Sequence, residues 1–223
     1  MRSFRVRSHG SQFSILHSLF LNTMPSAIWS YVTPGIPDEY FESLPGIPMS
    51  QREVRLLLLS YLRLKGDSVL WDVGAGTGTI PVEAGLLCPN GKIVAVERDA
   101  EVASLIRRNC DRFGVGNVRV IEGVAPDCMG EMGESPDRIC LEGGRPIKPI
   151  LTALWGRLKG GGRLVTTAAS LESLYQISEC FSELQVRNVE VVQSGINRLE
   201  TRGLSQVFAA TDPIFVLSGE KLG

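Results

Sequence analysis

Apolar positions along the chain fall into two alternating rhythms. From residue 50, Val54, Leu57, Leu58, Tyr61 and Leu62 recur at helical spacing. The helix they predict opens on the capping-box pattern Ser50-Gln51-Arg52-Glu53 and runs to about residue 64. A continuous apolar run at 69–73 follows, of the kind that forms a strand covered on both faces. Residues 79–87 read as a helix with Pro81 in its first turn, where a missing N–H costs little. Pro89-Asn90-Gly91 turns the chain into a second strand at 93–96. Asp99 then caps a helix whose inner face is Val102, Leu105, Ile106 and Phe113, stopped by Gly114. The rhythm repeats with strands at 118–121, 138–141 and 164–167. A helix lies between the last two, carrying Ile150, Leu151, Leu154 and Leu158 inward. A further amphipathic helix, 170–184, has Leu171, Leu174, Tyr175 and Phe181 as its apolar residues. Strands at 189–192 and 214–217 close the chain, joined by a polar loop with Asn197, Arg198 and Arg202. Strands alternating with helices predict an α/β fold, a mostly parallel sheet with helices on both faces. The last two strands lack a helical pattern between them, so they are expected to pair antiparallel.

Upstream, residues 34–49 are punctuated by Pro and Gly and read as extended or turned backbone. Residues 1–33 are expected to be an N-terminal extension, disordered or dispensable, leaving one domain over 34–223. Arg2, Arg5 and Arg7 with several serines also fit a transit-like leader, and Met24 is a possible alternative start.

Charge narrows the function classes. The 23 Lys and Arg nearly balance 24 Asp and Glu, so no basic stripe announces a nucleic-acid partner. No apolar stretch is long enough to cross a bilayer. Five cysteines without a C-x-x-C pair fit reduced, buried thiols in a reducing, cytoplasmic setting. Both histidines, His9 and His17, lie in the extension. A zinc site or His-based triad in the globular part is thereby disfavoured, no metal is expected, and any base must be Asp, Glu, Tyr, Cys or Lys.

The chemistry concentrates after the first strand, at Asp72-Val73-Gly74-Ala75-Gly76-Thr77-Gly78. Glycines let backbone bend and a ligand approach, and the helix start beyond them offers free N–H groups. The dinucleotide fingerprint needs a third glycine three residues after the second, where this chain has Thr79; no Lys closes a phosphate loop either. Glu97 ends the second strand at the same edge, placed for a carboxylate to accept hydrogen bonds from both hydroxyls of a ribose. The plain alternative is an ordinary turn and a surface acid.

This pairing resembles motif I of S-adenosylmethionine methyltransferases. The resemblance implies a Rossmann-like class I fold with a seven-stranded sheet and an antiparallel last strand. Gly35-Ile36-Pro37-Asp38-Glu39-Tyr40-Phe41 followed by Gly46-Ile47-Pro48-Met49-Ser50-Gln51-Arg52-Glu53-Val54-Arg55 is more specific. Together with Glu122-Gly123-Val124-Ala125-Pro126, Gly160-Gly161-Gly162-Arg163-Leu164-Val165 and Asp212-Pro213-Ile214-Phe215, it resembles the precorrin methyltransferases of the CbiT type in cobalamin biosynthesis. The resemblance spans about residues 34–221. It implies methylation at C15 of precorrin-6B, or its cobalt form, with loss of the C12 acetate carboxylate, and a homotetramer. Cofactor contacts carry over to Ser50, to Gly74, Ala75, Gly76, Thr77 and Gly78, to Glu97 and to Ala125. Gly143, Gly144, Arg145, Arg198 and Arg202, with Lys148, are candidates to hold a substrate rich in carboxylates. The chain departs from the family's glycine-rich pattern after the fourth strand, where it reads Leu141-Glu142-Gly143-Gly144-Arg145. No residue stands out as acid or base. Open alternatives are a methyltransferase for an RNA base or a protein carboxyl group, a non-catalytic partner that binds the cofactor, and a nicotinamide oxidoreductase, which the glycine spacing disfavours.

Overall fold

The computed structural model describes residues 28–223. The expectation for the N-terminal extension therefore lies, over 1–27, outside the described residues. A 3-10 turn, Asp38–Tyr40, leads to helix α1, Arg52–Leu62. Strand β1, Val69–Val73, runs into the glycine loop and helix α2, Thr79–Leu87. Then come β2 (Lys92–Glu97), α3 (Ala100–Phe113), β3 (Val118–Glu122), β4 (Arg138–Leu141) and α4 (Ile147–Arg157). The chain ends with β5 (Arg163–Ala168), α5 (Leu171–Glu183), β6 (Arg187–Ser194), β7 (Asn197–Arg202), β8 (Ser205–Ala210) and β9 (Ile214–Glu220).

Seven strands form one sheet in the order β3-β2-β1-β4-β5-β9-β6. The first five are parallel, whereas β9 runs antiparallel between β5 and β6. The expected sheet and its reversed last strand are thus present. The order reverses at β1, which has β2 on one side and β4 on the other. A crevice opens beyond the carboxyl ends of the strands at such a switch point.

Period-two alternation divides the core between the two faces. Trp71, Val73, Ile139 and Leu141 pack with Ile150, Leu151 and Leu154 of α4 and Ile177 and Phe181 of α5. Leu70, Ile93, Cys140 and Val165 face α1 and α2 through Leu58, Leu62 and Ile80. Ala95 meets Ile106 and Phe113 of α3, where Ile36 and Phe41 also pack.

Three expectations need correction. Ser50 does not cap α1: Gln51 occupies the N-cap and no side chain caps there. The Ser50 hydroxyl donates to Glu142 instead, at 2.6 Å. The polar loop between β6 and β9 is a second sheet, the hairpin β7-β8. Along α5, Leu171 and Tyr175 face solvent while Ile177, Cys180 and Phe181 are buried, so its apolar stripe lies later than its first turn suggested. Asp99 does cap α3, accepting from the N–H groups of Glu101 and Val102, and Gly114 ends it at φ +67°.

Candidate functional site

The crevice is built from the ends of β1, β2 and β4 and roofed by residues 48–50. Gly74 adopts φ +78°, and a Cβ there would collide with the Glu142 carbonyl oxygen. Gly76, at φ +52°, lies under the Pro48 carbonyl, 3.0 Å from where its Cβ would be. A side chain at either position would press on neighbouring backbone, which is the reason for glycine here. Gly78 forms the N-cap of α2, and Ala75, Thr77 and Gly78 are buried in the loop. The Thr77 hydroxyl donates to the Pro48 carbonyl at 3.1 Å and fastens the roof to the loop.

Glu97 stands on the β2 side. One carboxylate oxygen accepts from the Gly76 N–H at 3.1 Å, and the other accepts from the Arg98 N–H at 2.9 Å. It is half-buried, so it still has exposed surface to offer a diol. Ala125 follows β3 and is buried at the same edge. The loop, Glu97, Ala125 and Ser50 are therefore brought to one edge of the sheet.

On the β4 side stands a second carboxylate that sequence reasoning did not select. Glu142 is half-buried and accepts from Ser50. Its carboxylate, the Cys140 thiol and the Asp72 carboxylate lie within 4.8 Å of one another. Burial raises the Glu142 pKa, and the Ser50 hydrogen bond and the Arg55 charge offset part of that rise. Burial also holds Asp72 well above its ordinary value, with the Glu142 charge adding to it. Cys140 is pushed well up in turn, first by burial and then by the Asp72 charge. A metal would need all three deprotonated at once, against the burial that disfavours charge on each. The cluster is accordingly poor in metal-binding character. The signal that found Glu97, an acid just past the carboxyl end of a strand, also marks Glu142.

Beneath the roof lies Arg55, fully buried. Its guanidinium pairs with Glu83 of α2 and Asp38 at 3.1 Å, donates to the Ser50 carbonyl at 2.7 Å, and donates to the Ile36 carbonyl. The 36–50 segment is thereby pinned over the glycine loop.

The substrate candidates divide. Gly143, Gly144 and Arg145 form an exposed bend directly after β4, and Arg145 makes no ion pair among the described residues. Arg198 on β7 is committed to Glu53 and Asp38. Arg202 pairs with Glu200, and Lys148 pairs with Glu179 and Glu183 of α5. A depression of about 410 Å³ lined by Val69, Lys92 and Val118 sits at the opposite ends of the strands, away from this crevice. No helix among the described residues is long and apolar enough to cross a membrane.

Comparison with known proteins agrees with this geometry. A family model described as a precorrin methyltransferase domain matches residues 42–221. A protein of Saccharolobus solfataricus named a probable cobalt-precorrin-6B C(15)-methyltransferase (decarboxylating) is 40% identical over 197 residues, 86% of this chain and 98% of that protein. One from Pyrobaculum calidifontis with the same name is 38% identical over 192 residues, 85% and 97% of the two chains. Among solved structures, a precorrin-6Y C5,15-methyltransferase from Geobacter metallireducens superposes with a TM-score of 0.79 at 32% identity, covering 86% of this chain and 100% of its own.

Proposed function

The chain belongs to the precorrin methyltransferase family, and from that membership we propose that it methylates C15 of precorrin-6B or its cobalt form, with loss of the C12 acetate carboxylate, using S-adenosylmethionine. The observation that carries this reading is the glycine cradle between Glu97 and Glu142 at the switch point of the sheet.

When bound, S-adenosylmethionine supplies an electrophilic methyl group on sulfur. Glu97 would hold the ribose hydroxyls, the glycine-loop amides and the N-terminus of α2 would line the tail, and Ala125 would border the base. Ser50, Ala75 and Thr77 keep the cradle in shape. The chain's part in methyl transfer is then alignment of an electron-rich ring carbon for in-line displacement. Gly143 and Gly144 leave room beside β4, and Arg145, exposed and free of ion pairs among the described residues, would meet a substrate carboxylate bidentately. Arg198 and Arg202 would join it only by exchanging the carboxylates they now hold for those of the substrate.

A homotetramer is the assembly we infer from the family. It would give a partner to Leu199, Leu204 and Phe208, apolar and exposed on the β7-β8 hairpin. The five cysteines are free and buried, which suits a cytoplasmic location.

The test is incubation with S-adenosylmethionine and precorrin-6B or its cobalt analogue, followed by mass spectrometry. Gain of one methyl with loss of carbon dioxide is the expected product. Methyl gain alone would remove the decarboxylating half, and unchanged substrate would remove the assignment.

A further inference from the structure

Asp72 is 0% exposed, and neither of its carboxylate oxygens has a hydrogen-bond partner among the described residues. A buried carboxyl group without a donor is costly, and such groups are retained where something else completes them. Its neighbours are fixed by the sheet. Asp72 and Cys140 are register partners on β1 and β4, so their side chains share a face, and Glu142, two residues on, continues it. The Cys140 thiol is a weak donor. The remaining neighbour is the Glu142 carboxyl, itself held from the other side by Ser50. Two carboxyl groups within 4.8 Å of one another resist being ionised together, so one of them keeps its proton.

The covalent order of the nucleoside says what lies over this pair. Base, sugar, sulfur and amino acid follow one another, and the strand order is β3-β2-β1-β4. With the base by Ala125 after β3 and the sugar at Glu97 on β2, the sulfur end extends over β1 towards β4. That is where Glu142 stands.

We propose that Asp72 and Glu142 act as an electrostatically coupled pair, ionising one at a time, that distinguishes the cationic methyl donor from its neutral-sulfur product. The inference rests on the S-adenosylmethionine reading above. In the free protein the two carboxyl groups hold one proton and one negative charge. When the sulfonium is seated, that proton passes to solvent and the pair carries two negative charges. After methyl transfer the sulfur has lost its charge, a proton returns from solvent, and the product is held less tightly. On the pair only an O–H bond is broken and remade, and its change of charge is equal and opposite to that on the ligand.

The groups around the pair set the range in which this operates. Burial raises both carboxyl groups, and the Glu97 charge adds to the rise at Asp72. Arg55 from α1 and Ser50 from the roof pull Glu142 back. Asp38 and Glu83 are tied to Arg55, and Glu53 is tied to Arg198. Donor binding favours the deprotonated pair, so donor affinity rises with pH up to the titration of the pair and levels above it.

Isothermal titration calorimetry with S-adenosylmethionine and S-adenosylhomocysteine, across neutral pH and in buffers of differing ionisation enthalpy, tests this on the intact protein. Donor uptake is expected to release up to one proton and to tighten with pH. Product uptake releases none and stays flat. Glu142→Gln is expected to keep affinity for the product, abolish the proton release and lower the donor preference by about tenfold, the scale of one charged contact. Ser50→Ala removes one stabiliser of the Glu142 anion, so the donor curve is expected to move to higher pH. Equal proton counts and equal pH slopes for the two ligands would overturn the inference, as would an unchanged preference in Glu142→Gln. The wild-type proton count decides the matter if that variant does not fold. Failure of both ligands to bind would overturn the cofactor reading as well, and is distinguishable from the other outcomes.

Discussion

The glycine loop shows how much a single backbone position can carry. Gly74 sits in the left-handed region with its α-carbon facing the Glu142 carbonyl. Gly74→Ala adds a strained φ, about 1–2 kcal/mol for an L-residue, and pushes the ends of β1 and β4 apart. The expected outcome is a lower melting temperature and a loss of S-adenosylmethionine affinity beyond tenfold by calorimetry. Gly116→Ala is the matching control, since its added Cβ meets nothing within 4 Å, and it should leave affinity unchanged. At this scale the sequence was readable where chemistry follows spacing: Gly74, Gly76, Gly78 and Glu97 meet at one edge, as their positions predicted. It was less readable where two roles compete for one side chain. Ser50 satisfies the capping pattern with Glu53, yet its hydroxyl bonds to Glu142, ninety-two positions away, and no local pattern holds that information.

Among the elements, α1 carries an anomaly that periodicity hides. Arg55 lies between Val54 and the buried Leu58 and Leu59, on the face that should be apolar. It is stable there because Glu83 and Asp38 neutralise it and two carbonyls take its remaining donors. Phe41 also stacks 5.0 Å from the guanidinium. Arg55→Leu would leave Glu83, 1% exposed, without its cation and with only the Gly35 and Ile36 N–H groups to hold its charge, at a cost of about 3–5 kcal/mol. Urea denaturation should show a reduced midpoint with an unchanged slope, and the roof over the cradle should become more open to hydrogen exchange at residues 36–50. Sequence patterning located every strand of the main sheet, the inner ones because they are buried along their length and the edge strands β3 and β6 because they keep short β-branched runs, Val118 to Ile121 and Val189 to Val192. It missed the β7-β8 hairpin for the opposite reason. Most residues of that hairpin are exposed on both faces, so no hydrophobic alternation marks it, and the Gly203-Leu204 turn between its strands was the remaining cue. Arg198 then ties the hairpin to α1 through Glu53, a pairing set by tertiary approach alone.

Across the whole molecule, the crevice is a consequence of winding. Parallel strands need crossover helices, and reversing the strand order at β1 sends one set of helices to each face, leaving a gap at the carboxyl edge. The antiparallel β9 closes the far side of the sheet without another crossover. A ligand in the gap touches the ends of β1, β2 and β4, the roof and the start of α2, which pack through different core clusters. It must therefore stabilise the fold as one unit. A ligand that binds only the native state at one hundred times its Kd adds about 2.7 kcal/mol. For a chain of 223 residues, that corresponds to a rise in Tm of about 5–10 °C. S-adenosylmethionine should produce this shift in a thermal melt, whereas NAD at the same concentration should not. The cradle places Thr79 where a dinucleotide needs its third glycine, and the buried side of that position already packs into the core. A shift with NAD and none with S-adenosylmethionine would reassign the crevice while leaving the sheet that forms it unchanged.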